Sequence, residues 1–141
     1  MITEDYVSFE TAKLLKEKGF NEPCRLYYDK YHGCVPIFVE DSKLTEYGYK
    51  ELVRNDQNSI SDFIASAPSL YVTMKWLREV HSLSVEVQFF LNEENDISSW
   101  NYDIIDIITY CNKARYAMCV NFETYEEACE AAVKYVLENL L

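Results

Sequence analysis

Apolar and polar positions along this chain repeat with two different periods, and each change of period marks the edge of an element. From Phe122 to Leu141 the period is helical. At about 100° per residue, Tyr125, Ala128, Cys129, Ala132, Val133, Tyr135, Val136 and Leu140 share one face, while Glu126, Glu127, Glu130, Lys134 and Glu138 share the other. Thr124 is placed to cap this helix and Glu127 to reach back, the reciprocal pairing of a capping box. The apolar face carries Ala128, Cys129 and Ala132 where Leu would fit, so the axis can come close to a flat partner, a β-sheet built earlier in the chain.

A second helix is written near the other end, over Ser8 to Gly19. Ser8 caps it, Glu10 sits in the positive first turn, and Lys16 and Lys18 sit in the negative last one. Gly19 supplies a left-handed position just past the end, which lets Phe20 close on Leu15. Cys24–Tyr31 and Cys34–Val39 are then rich in aromatic and β-branched residues and are separated by His32 and Gly33, the pattern of a hairpin. Pro36 donates no backbone hydrogen bond, so the second arm is expected to lie at a sheet edge or to be irregular.

Periodicity fades from Glu40 to Ala67, which reads as loop with one helical turn. It returns as a helix over Pro68–His81, with Leu70, Met74, Leu77 and His81 on one stripe flanked by Thr73, Trp76 and Val80. Directly afterwards Leu83, Val85, Val87, Phe89 and Leu91 alternate with Ser84, Glu86, Gln88 and Phe90, a strand with one buried face. Asn92–Ser99 reads as a polar turn and Trp100–Tyr110 as the returning strand, with Ile104, Ile105, Ile107 and Ile108 crowded enough to be covered on both faces. Ala114–Val120 is a further candidate strand. The expectation is a single α+β domain over residues 1–141, a small antiparallel sheet of hairpins packed by N-terminal, central and C-terminal helices.

Composition narrows the class. A chain of 141 residues that is 49% hydrophobic can close a real core, which argues against disorder. Its formal net charge of −11 is repelled by nucleic-acid phosphates, and no local basic patch reverses it, so no direct nucleic-acid binding is expected. The 5 cysteines form no CxxC and no regular framework. With no basic, apolar leader at Met1 and no run long enough to span a membrane, the expected setting is a reducing cytoplasm with free thiols.

Three blocks of the sequence, Tyr6–Phe20, Ala67–Leu70 with Met74–His81, and Tyr125–Tyr135 with Leu137–Leu140, resemble a group of short uncharacterised proteins from Bacteroides and its phages and mobile elements. The order of helix, hairpin and Ala/Cys-rich helix in the tail is also similar to the phage ABA sandwich domain. The resemblance implies an accessory gene context and a fold, and it carries over no functional residue.

Candidate chemistry is sparse. Cys24, His32 and Cys34 place two thiols and an imidazole around one turn, but the spacing matches no common zinc arrangement and lacks a fourth ligand, which favours an ordinary turn. His81 ends the central stripe, where it suits the negative helix end or the rim of the core. Asp103 and Asp106, three apart on a strand, fall on opposite faces and do not make a working pair. Glu93, Glu94 and Asp96 lack calcium-loop spacing. No catalytic, cofactor-binding or metal residue is assigned, and no cofactor is expected. Tyr27, Tyr28, Tyr31, Tyr47, Tyr49, Tyr110 and Tyr116 suit rim packing around the sheet, with a partner-facing surface as the other reading. The expected function is that of a non-enzymatic, acidic protein-binding domain with a protein partner or a second copy of itself, one form being a decoy that imitates the charge of DNA against a host defence. The alternative is a small-molecule binder or minor enzyme using a pocket under the 40–67 loop.

Overall fold

The computed structural model describes residues 1–32, 34, 36–38, 52–56, 62–115 and 121–141. The α+β class expected from the sequence is observed, with the strands divided between two three-stranded antiparallel sheets. They belong to two compact units, residues 1–69 and 70–141.

In the first unit, α1 (Phe9–Glu17) begins where the Ser8 hydroxyl accepts the Thr11 N–H at 3.3 Å. It ends because Gly19 takes φ of 87°, a conformation that strains any residue with a Cβ. The Gly19 N–H then donates to the Lys16 carbonyl at 3.2 Å and the Phe20 N–H to the Leu15 carbonyl at 2.9 Å. Those are the two bonds of a Schellman ending, and its apolar contact follows, since Leu15 and Phe20 are both buried.

Strands β1 (Leu26–Asp29) and β2 (Ile37–Phe38) pair antiparallel as the hairpin pattern predicts, and β2, which begins just after Pro36, is an edge, one of the two outcomes that Pro36 allows. The other edge is β3 (Phe63–Ser66), which lies in the stretch read as irregular and corrects that reading. Two contacts outside the strands hold β3 in place. Asn55 donates to the Phe20 carbonyl at 2.7 Å and accepts the Ser66 N–H at 2.9 Å, tying the end of α1 to the new strand. Lys16 reaches from α1 to the Ile64 carbonyl at 2.7 Å. Tyr47 and Tyr49 lie outside the described residues; of the span between Tyr49 and Asn55 where a helical turn is expected, residues 52–54 are described and are not helical, Val53 instead forming an antiparallel bridge to Cys24.

In the second unit, α2 (Leu70–His81) starts two residues later than the reading from Pro68. Pro68 is still extended, its carbonyl accepting the Val7 N–H at 3.1 Å within the first unit. The buried stripe is Leu70, Thr73, Trp76 and Leu77, and Val80 is exposed. Next come β4 (Leu83–Leu91), β5 (Ile97–Asp106) and β6 (Asn112–Arg115), ordered β4-β5-β6. β5 begins three residues before the predicted Trp100 and ends four before Tyr110. Ile107 and Ile108 therefore leave the sheet and are exposed. Of the predicted strand 114–120, Ala114 and Arg115 belong to β6, and 116–120 lie outside the described residues.

Helix α3 (Tyr125–Asn139) opens with the Thr124 hydroxyl accepting the Glu127 N–H at 3.1 Å. The Glu127 carboxylate reaches back one residue further than a capping box does, to the Glu123 N–H at 3.1 Å. Ala128, Cys129, Ala132, Val133, Val136 and Leu137 are buried, so the small-residue face is the packed one, and Leu137 joins it. Both α2 and α3 pack on this sheet, the arrangement the two amphipathic patterns predict.

Candidate functional site

The residues singled out for chemistry do not converge. Cys24 is buried, exchanges two backbone hydrogen bonds with Val53 at 2.8 Å, and its thiol is pushed up to about 11 by burial, which keeps it a protonated core residue. Cys34 is exposed. His32 is instead bound to Asp29, its Nδ1 lying 3.0 and 2.9 Å from the two carboxylate oxygens. Asp29 also accepts the Tyr31 and His32 N–H groups at 3.0 and 2.8 Å. Burial opposes ionisation of Asp29, but the His32 backbone, the His32 ring and the Tyr31 N–H outweigh it and hold the carboxyl below its ordinary value. The group is a turn lock after β1. Among the described residues no three His, Cys, Asp or Glu side chains gather as a metal site.

The acids of the second unit also have structural partners. Asp106 accepts the Ile108 and Thr109 N–H groups at 2.9 and 3.1 Å and lies 3.8 Å from Lys113. Asp103 accepts from Gln88 at 2.9 Å on the other face, as the spacing of the two acids predicts. In the β4–β5 turn the Asn92 side chain accepts the Glu94 and Asp96 N–H groups, both at 2.9 Å, which leaves the carboxylates of Glu93, Glu94 and Asp96 in solvent. Of the tyrosines, Tyr28 is core, its hydroxyl donating to the Val7 carbonyl at 2.7 Å, and Tyr27 meets Phe63 at a tilt of 36° with centroids 5.7 Å apart. Tyr31 and Tyr110 are exposed, and Tyr116 lies outside the described residues.

The feature that pattern reading missed is the outer half of the β4–β5 hairpin. Burial along β4 runs out after Val87, because the hairpin continues past the start of α3. The register pairs Val87 with Tyr102, Phe89 with Trp100 and Leu91 with Ile97, so these residues share the face on which Leu83 and Ile104 are buried. Beyond the helices that face is bare: Phe89 is 53% exposed, Leu91 50% and Ile97 55%. The rings are nevertheless ordered. Phe89 meets Trp100 edge-on at 5.8 Å and Trp100 meets Tyr125 edge-on at 5.4 Å, a row that runs from the hairpin into the first turn of α3.

Acids dominate the sequence around this row. Between Arg78 and Lys113 the chain carries 7 Asp and Glu and neither Lys nor Arg, and Glu123, Glu126 and Glu127 crowd the start of α3. The Tyr125 phenol is raised above its ordinary value by burial first, then by Cys129, with smaller contributions from Glu126 and Glu86. The signal in the sequence was the long stretch without a cation combined with Phe89–Phe90–Leu91 running straight into a turn. Strict alternation hid it, because alternation says which face a residue is on and not how far the covering helices reach.

No known protein family, curated protein or solved structure matches the chain. Among the described residues no helix is long and apolar enough to cross a membrane.

Proposed function

We propose that this is a non-enzymatic acidic binding domain whose β4–β5 hairpin presents an apolar face to a partner protein carrying Lys or Arg. The observation that carries the reading is the row of touching rings Phe89, Trp100 and Tyr125, with Trp100 half-buried and Phe89, Tyr125, Leu91 and Ile97 exposed, in an acidic stretch of the chain. Contiguous apolar surface rimmed by charge marks interaction sites, and aromatic residues supply the anchors of such sites. Acids around the rim select cations and speed encounter more than they tighten the complex. In the accessory-gene setting that the sequence resemblance implies, the partner is a host protein.

Trp100 sits in the row and reports occupancy by its fluorescence. Short cationic amphipathic peptides, of helical and of strand design, are expected to perturb it and to bind more weakly as salt rises. Phe89→Ser with Leu91→Ser should abolish that response. Equal binding of anionic peptides of the same apolar content, or no response to any cationic peptide, would remove the reading.

A further inference from the structure

Resting on the binding face proposed above, we infer that the partner enters as an added β-strand along β4, one in which apolar side chains alternate with Lys or Arg. Among the described residues β5 is the one strand paired with β4, which leaves the other side of β4 without a strand neighbour. The direction of its free groups follows from the hairpin. Trp100 exchanges both backbone hydrogen bonds with Phe122, at 2.8 and 2.9 Å, so its N–H and C=O face away from β4. In an antiparallel pair the residue opposite such a position turns its own groups outward too, and the pattern repeats every second residue. Phe89, Val87 and Val85 therefore present their N–H and C=O groups along the free edge.

Sheet edges are commonly blunted by Pro, Lys, a bulge or a covering element. Leu83–Leu91 holds no Pro, Gly or Lys, and its single charge is Glu86. The register shift of the hairpin falls only at its far end, between Phe90 and Leu91. The edge is thus nine residues of regular strand, a template for strand addition.

The side chains of β4 define the guest. On the helix side Val87, Phe89 and Leu91 call for apolar residues, and on the other side exposed Glu86 calls for a cation across from it. An incoming strand meets both demands by alternating. A second copy of the chain does not, because its own β4 brings Glu86 in place of a cation and its own net charge of −11. A helix laid on the same face would make no hydrogen bonds to the row of outward amides, which an added strand does.

The test uses the full chain and an acetylated peptide of alternating valine and lysine, about ten residues long to match the strand. Amide hydrogen exchange is followed by NMR with and without it. Protection appearing at Val85, Val87 and Phe89 is expected, while Ser84, Glu86, Gln88 and Phe90, which already bond to β5, change little. Val87→Pro removes one outward N–H at an edge where proline is tolerated, and should weaken binding roughly 2- to 12-fold with the fold intact by its NMR spectrum. Glu86→Gln should weaken it roughly 2- to 5-fold. Binding with no new protection at Val85, Val87 and Phe89, or tighter binding of a helical cationic peptide than of the strand peptide, overturns strand addition and leaves the binding face standing. Edge protection in a peptide-free dimer overturns the cationic partner in favour of a second copy. Failure of every cationic peptide to bind removes the binding face itself.

Discussion

Trp76 and His81 pack edge to face with ring centroids 4.5 Å apart at the end of α2, and the His81 Nε2 is buried there with no hydrogen-bond partner. Of the two roles the sequence allowed this histidine, the structure selects the rim of the core, and burial lowers its pKa below 6.5. A cation stabilising the helix end would have moved it the other way. With the folded value depressed, the unfolded chain takes up the proton first as pH falls. Stability is complete above 6.5 and declines as pH drops from there toward the folded value. Urea melts at pH 7.5 and 5.0 should show a falling midpoint for the native chain and a smaller fall for His81→Phe.

Asp29 governs a separate, more acidic window. Its folded pKa lies below 3.8, so its contribution is present above that value and is lost as pH falls through the folded one. Asp29→Asn keeps the shape but weakens acceptance from the Tyr31 and His32 N–H groups. Its melting temperature should fall at neutral pH, and the difference from the native chain should shrink in strong acid.

Helix ends offer the sharpest stability tests. Gly19→Ala meets no steric obstacle, since nothing lies within 4 Å of the added Cβ, so its cost is that of the left-handed backbone, about 1 kcal/mol. Thr124→Ala removes the acceptor for the Glu127 N–H and should also cost about 1 kcal/mol. Denaturant unfolding should place both near that value, and a neutral Gly19→Ala would contradict the positive φ.

The isoleucines of the β5 region separate by position. Ile104 is fully buried, and Ile104→Ala should cost about 2–5 kcal/mol. Ile108 is 75% exposed in the turn, so Ile108→Ser should change stability by less than about 0.5 kcal/mol. Equal losses would mean that β5 runs on to Tyr110.

That contrast shows where pattern reading holds and where it stops. Both ends of α1 and the start of α3 were legible because caps and a left-handed glycine are local chemistry, carried by Ser8, Gly19 and Thr124. The end of β5 was misplaced because Ile107 and Ile108 have strand propensity, yet the Asp106 carboxylate accepts from the backbone just beyond and Tyr110 takes φ of 58°. A side chain that can satisfy a turn outweighed the propensity of its neighbours. β3 was invisible for a different reason, since it is four residues long and held by Asn55 and Lys16 from elsewhere in the chain. The exposed outer half of the β4–β5 hairpin combined both problems: strand and faces could be read, but the reach of α3 over the hairpin could not.

The hairpin tip has one more property. Phe89, Leu91 and Ile97 lie past the shelter of α3, so exchanging them for other side chains leaves the packing beneath Ala128, Ala132 and Val136 untouched. Such a tip is free to drift under selection, trading one set of contacts for another while the scaffold behind it stays the same. The surface chemistry of the tip can therefore change without a change in how the unit beneath it folds.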